Sequence, residues 1–298
     1  MKKTISILLC FLTVALCFFG CSGGEKEKSA DEKLYITPVY DSAYESYDSS
    51  TVDAYKSLCE TVLSYGDSVR MNTGLSEKVL RLYYTSFPLN QLVKDVTLNE
   101  DKSGLSITYV NEKEEHLKAV KAFDNKIKEI NEACFSPNAD IYTVKLYAYI
   151  ASHVQLVEDK SPTCYDTLID GSGTSFSYAQ LLTYLLLVSG HKACYVTAAD
   201  AANTAWGLVQ AEIKGEWLYL DPVTEYYDNK GTKLLFFGMT YKDLKKEGLS
   251  EPVYSDSSAA RDASSLLFKP CRSCKSYSLE DNSVVVSSYS GGSVKIEL

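Results

Sequence analysis

The stretch that most restricts what this chain can become is residues 174–190. Ala179, Leu181, Leu182, Leu185, Leu186 and Val188 make a strongly apolar helix, which Thr174 or Ser177 can cap and which Gly190, just past its end, can stop. Three β-prone segments follow. Ala193-Cys-Tyr-Val-Thr197 reads as a strand, and residues 204–212 and 216–221 read as two more around a turn containing Lys214-Gly215. Asp221-Pro222 then leads the chain out of the sheet. An apolar helix followed by three consecutive strands predicts a helix packed on an antiparallel sheet, an α+β fold.

The flanking sequence extends this core. Val52, Tyr55, Leu58, Val62 and Leu63 recur at helical spacing until Gly66. Residues 80–92 are apolar and mixed, and Leu105-Ser-Ile-Thr-Tyr-Val110 alternates with the period of a strand. Glu112 to Ala133 predicts a charged amphipathic helix with Leu117, Val120, Phe123, Ile127 and Ile130 on one side. Ser136-Pro137-Asn138-Ala139-Asp140 breaks it before a second helix, Ile141 to Val157, and Asp170-Gly-Ser-Gly173 is a turn. No internal repeat is visible. The expected division is a leader at 1–20, a tether at 21–40, an N-terminal α+β region at 41–135, a core domain at 136–240 and a C-terminal extension at 241–298.

Three landmarks in the core fall in a fixed order. The first is Gly171-Ser172-Gly173-Thr174-Ser175-Phe176-Ser177-Tyr178-Ala179, the second Thr204-Ala205-Trp206, and the third Gly215-Glu216-Trp217-Leu218-Tyr219-Leu220-Asp221-Pro222. The order resembles bacterial transglutaminase-like domains of papain-like fold. Those domains open the helix with Gly-x-Gly-x-Cys-x-Gly-Tyr-Ala, open a later strand with His-Ala-Trp, and run from Gly-x-Trp to a strand ending at Asp. The chain's two tryptophans occupy both Trp positions of that pattern. The resemblance implies three site positions. The nucleophile position holds Ser175, the base position holds Thr204, and the orienting acid is Asp221. In the family a cysteine thiolate at the helix start, a histidine and an aspartate carry out acyl transfer. Here two of the three are replaced.

A serine hydroxyl needs an adjacent base to attack an amide, and Thr204 offers none. The three histidines lie elsewhere. His116 and His153 belong to earlier helices, and a rise of 1.5 Å per residue puts His191 about 20 Å from Ser175. A four-residue turn at 212–215 would set Thr204 opposite Val223, with Asp221 a diagonal neighbour on the same face at roughly 7–8 Å. A two-residue turn at Lys214-Gly215 would double that offset. The longer turn, which keeps the triad geometry, is the expectation. Trp206, Tyr178 and Trp217 are candidate cleft residues, although packing is the commoner use of such aromatics. Cys194, three residues after His191, is mid-strand among apolar neighbours and reads as a buried thiol.

The N-terminus has the signature of export. Lys2 and Lys3 precede an apolar run from Ile5 to Phe19, too short to span a membrane comfortably, and then Gly20 and Cys21. Phe18-Phe19-Gly20-Cys21 resembles the lipobox of bacterial lipoproteins, although that box prefers Leu at 18 and a small residue at 19. The resemblance implies lipid attachment at Cys21, a lipid-anchored extracytoplasmic location and a membrane partner through the anchor. Loss of residues 1–20, with two lysines and no acid, takes the net charge from −9 to −11, which argues against nucleic acid as a partner. The remaining cysteines are Cys59, Cys134, Cys164, Cys194, Cys271 and Cys274. Cys271-Arg-Ser-Cys274 has the spacing of half a zinc site, but no second pair or His cluster completes four ligands. No metal and no cofactor is therefore expected, and the pair reads as a local disulfide or two free thiols.

The functional expectation is a lipid-anchored envelope protein whose transglutaminase-like domain no longer catalyses acyl transfer. It would act as a binding or structural module for peptide, protein or cell-wall stem peptide. The alternatives are an active peptidase or acyl transferase with atypical residues, and a solute-binding lipoprotein.

Overall fold

Capping and breaking residues cut the chain into short elements. The computed structural model describes residues 34–101, 103–157, 162–256 and 260–298. In chain order the helices are α1 (Ser49–Leu63), α2 (Ser76–Ser86), α3 (Lys113–Cys134), α4 (Ala139–Ser152), α5 (Cys164–Asp170), α6 (Ser175–Val188), α7 (Pro222–Asn229) and α8 (Tyr241–Lys246). The strands are β1 (Ser68–Arg70), β2 (Val93–Leu98), β3 (Gly104–Tyr109), β4 (Ala193–Ala199), β5 (Ala205–Ile213), β6 (Glu216–Leu220), β7 (Phe237–Met239), β8 (Val253–Tyr254), β9 (Cys274–Glu280), β10 (Ser283–Ser288) and β11 (Ser293–Glu297).

The central sheet has the order β7-β6-β5-β4-β8 and is antiparallel throughout. Two smaller sheets, β1-β3-β2 and β11-β10-β9, come from the sequence before and after the core. Helix α6 lies on β4 and β5, and α4 and α5 pack against it. The class is α+β. Tyr35–Leu298 forms one compact unit.

Helix α6 is buried on nearly every side, as its composition requires: Tyr178, Ala179, Leu181, Leu182, Tyr184, Leu185 and Leu186 are all in the core. Both expected caps operate together. Thr174 Oγ1 accepts from Ser177 N–H at 3.3 Å, and Ser177 Oγ accepts from Thr174 N–H at 2.8 Å, so two otherwise orphaned amides are satisfied reciprocally. Gly190, at φ 84°, ends the helix in the left-handed region.

Helix α4 differs from its expected limits for a local reason. Asn138 Oδ1 accepts from Asp140 and Ile141 N–H at 2.9 and 3.1 Å, which starts the helix at Ala139. The helix stops at Ser152, because residues 155–157 peel away to pair with Gly173, whose N–H donates to Gln155 O at 2.9 Å. The β5–β6 turn is also a correction. Ile213 pairs with Glu216, so Lys214-Gly215 is a two-residue turn with φ 54° and 77°, the double-positive geometry of a type I′ hairpin, and the longer turn is not formed.

Residues 35 and 36, which fall in the expected 21–40 tether, are held against the body: Tyr35 and Ile36 N–H donate to the Asp124 carboxylate at 2.5 and 3.0 Å, and Ile36 is 3% exposed. Next along, Asp41 and Ser42 accept from Tyr195 N–H (2.6 Å) and Ala193 N–H (3.2 Å), covering edge amides of β4 that β8 does not reach. Cys21 and the 1–20 leader lie outside the described residues. Among the described residues no helix is long and apolar enough to cross a membrane.

Candidate functional site

Ser175 is the first residue of α6, at the position the family pattern gives to its nucleophile. The side chain is 5% exposed, and its Oγ accepts from Gly207 N–H at 3.2 Å. The approach is close enough to require glycine. A Cβ at 207 would sit 2.7–2.9 Å from Phe176 Cα, Ser175 O and Phe176 N, all backbone. Strand β5 therefore presses its backbone on the start of α6 and aims an amide at the hydroxyl.

Gly207 fixes which side of β5 faces the helix. Side chains alternate along a strand, so Trp206 points to the opposite side. There its indole N–H donates to Asp221 Oδ2 at 3.0 Å. That oxygen also accepts from Thr224 Oγ1 at 2.6 Å, and Oδ1 accepts from Val223 and Thr224 N–H at 3.1 and 2.9 Å as the N-cap of α7. Burial pushes the Asp221 carboxyl up to about 6, against the pull of its hydrogen bonds from Thr224, Trp206 and Val223. Thr204 is exposed in the β4–β5 loop, where its N–H donates to Asp200 Oδ1 at 2.8 Å and its carbonyl accepts from Asp200 N–H at 3.0 Å. Strand β5 begins one residue later, at Ala205. In the observed register, Thr204 extrapolates to a position opposite residue 225, four beyond Asp221. The acid is thus engaged by the tryptophan and its own helix, while position 204 belongs to a surface loop.

The imidazoles have partners of their own. His116 Nε2 lies 2.7 Å from Val62 O, His153 Nδ1 2.7 Å from Tyr149 O, and His191 Nε2 2.9 Å from Ala139 O. His191 also stacks on Tyr142.

The three candidate cleft aromatics do not meet. Tyr178 is 2% exposed and serves as a strut, its hydroxyl donating to Gly171 O at 2.9 Å and accepting from Gln155 N–H at 2.8 Å. Trp217 is half-buried, with the Arg261 guanidinium 5.5 Å from its ring centroid. Trp206, with Asp221, Thr224 and Phe236, borders a small cavity of about 170 Å³. A larger cavity of about 450 Å³ runs beside α6, where Phe176, Gln180, Thr183 and Leu187 form one wall at helical spacing and Tyr84 and Tyr195 stand across it. Thr183 Oγ1 is buried there without a hydrogen-bond partner. Asp41, also in this lining, is pushed up to about 6 by burial, partly offset by hydrogen bonds from Ala43 and Tyr195 N–H. The facing wall comes from residues 84–90 and 162–163, remote in sequence, so no local pattern announces it.

Cys59, Cys134, Cys164, Cys194, Cys271 and Cys274 are buried free thiols. Burial raises every one of them, Cys134 to about 11 and Cys271 to about 12, which keeps them protonated and unreactive near neutral pH.

The order of apolar helix, strand, Trp-bearing strand, tight turn, Trp-bearing strand and Asp-Pro is present as the residues imply. The chain resembles a transglutaminase-like domain. No family model matches it, and no curated protein does. Solved structures similar to it in part include a protein from Cytophaga hutchinsonii assigned as a cysteine protease, with 16% identity, TM-score 0.33, and coverage of 48% of this chain and 46% of that one. A TGase matches at 11% identity and TM-score 0.31 over 48% of this chain and 39% of its own. Legionella pneumophila LapG matches at 16% identity and TM-score 0.28 over 39% of this chain and 68% of its own. This chain spans less than half the length of the first two.

Proposed function

We propose that this chain is a lipid-anchored protein of the bacterial cell envelope whose transglutaminase-like core binds a peptide and does not catalyse acyl transfer. One observation carries the loss of catalysis. The hydroxyl at the nucleophile position is buried against a backbone amide, and each of the three ring systems that could deprotonate it is bonded to a main-chain carbonyl elsewhere. An alcohol without a neighbouring base is a negligible nucleophile near neutral pH. The remaining acid is no substitute, because Trp206, Thr224 and Val223 occupy its oxygens on the far side of β5.

The cavity beside α6 supports the binding role. Its volume is in the range of small-ligand sites, and it offers aromatic surface with an amide, Gln180, on the same wall. These are the contacts that an extended peptide uses. Incubation of the full chain with an amine donor and a glutamine-bearing acceptor, or with peptide substrates, is expected to give no product above the buffer rate. Turnover that Ser175→Ala abolishes would overturn the reading in favour of an atypical enzyme. Stabilisation by a small solute and none by peptides would favour a solute-binding protein.

A further inference from the structure

A second cavity, of about 460 Å³, lies between α8, the residues just after β7, and the 265–273 segment. Its lining carries Lys242, Lys246, Lys269 and Arg272 against one carboxylate, Asp243. In a chain with a formal net charge of −9, that local excess of positive charge needs a reason.

The charges are not balanced from within. Asp243 Oδ2 is committed to Thr240, accepting its N–H at 3.0 Å and its hydroxyl at 2.9 Å, and Lys246 Nζ is 3.6 Å from Oδ1. This accounts for one lysine. Among the described residues neither Lys242 nor Lys269 has an anionic partner within 4 Å, and Arg272 forms no ion pair at that distance, although its charge also acts on Asp243. The Arg272 guanidinium is held rigidly, since two of its nitrogens donate to the carbonyls of Leu235 and Phe237. Its Nε–H is buried with no acceptor, an orphaned donor of a kind folded proteins rarely leave. Ser265 and Ser273 add hydroxyls to the same lining.

From this cluster we infer that the cavity is a binding site for a small molecule carrying a phosphate group. A phosphate presents nearly two negative charges and three strong acceptor oxygens, which matches an excess of cations over the single Asp243 carboxylate, with adjacent hydroxyls, better than a single carboxylate would. The cavity is sized for a molecule rather than a lone ion. A concave lining with a local excess of cations raises the concentration of an anion there. The site uses none of the residues discussed for acyl transfer and stands independently of the proposed function.

Calorimetric titration of the full chain at low salt, with glucose 6-phosphate, inorganic phosphate and glucose as probes, tests the assignment. Glucose 6-phosphate is expected to bind, inorganic phosphate to bind more weakly, and glucose to give no heat. The double variant Lys242→Gln, Lys269→Gln is expected to weaken glucose 6-phosphate binding at least tenfold while leaving the urea midpoint unchanged, because both side chains are exposed. Added salt should weaken the wild type more than the variant. Equal behaviour of glucose and glucose 6-phosphate, or undiminished binding by the double variant, would overturn the site. Inorganic phosphate binding as tightly as the sugar phosphate would overturn its assignment to a carried phosphate.

Discussion

Asp41 and Asp221 are carboxyls placed almost wholly out of water, at 2% and 1% exposure, and burial holds each up to about 6. In the unfolded chain both titrate near 4. Folding therefore favours their protonated forms. The stability they contribute is fully present below about pH 4 and is lost as pH rises through 6, on the order of 3 kcal/mol for each group. The carboxyls held below their usual range, such as Asp101, Asp243 and Glu280, act in the opposite sense, but only at lower pH. Between pH 5 and 7.5 the two carboxyls act against His116, whose burial holds it below 6.5 and makes its own contribution rise with pH; two groups against one, the urea midpoint is expected to fall across that interval. In Asp221→Asn the fall should be smaller by about half or more, since one of two similar contributions is gone. A wild-type midpoint that is flat or rising over the same range would show that His116 or the hydrogen bonds to these carboxyls outweigh their burial.

Helix α6 organises everything near the candidate site, and its start depends on Thr174. In Thr174→Ala the Ser177 amide loses its acceptor, while Ser177 Oγ can still accept from residue 174 N–H, so half of the reciprocal pair survives. The expected cost is about 1 kcal/mol, read as a lower urea midpoint with an unchanged slope. This element was legible in the sequence because cap, apolar run and terminal glycine agree with one another. The β5–β6 hairpin was legible too, but the length of its turn was not. Its first residue is Lys214 at φ 54°, where such turns favour Asn, Asp or Gly, so composition hid the two-residue form that the register requires. The order of Ser175, Thr204 and Asp221 could be read, but their separation could not. Asp200, which ties Thr204 into a loop, and Trp206, which takes the Asp221 carboxylate, act through contacts that no strand periodicity encodes.

At the scale of the whole molecule, the leader at 1–20 and the described body make separate demands. Among the described residues no helix is long and apolar enough to cross a membrane, and the proposed lipid attachment rests on the N-terminal sequence alone. One acyl chain gives only marginal, reversible binding, at roughly 0.8 kcal/mol per buried methylene, whereas several chains on one cysteine hold firmly. In the sequence 13 residues lie between the proposed Cys21 anchor and Tyr35, which bonds to Asp124 of the body. Cell fractionation separates this arrangement from simple secretion. The wild-type chain should sediment with membranes and resist extraction by high salt, and Cys21→Ala should move it to the soluble fraction or leave an uncleaved precursor of higher mass. A wild-type chain found free in the medium, or a Cys21→Ala chain that remains membrane-bound after leader cleavage, would remove the lipid from the account.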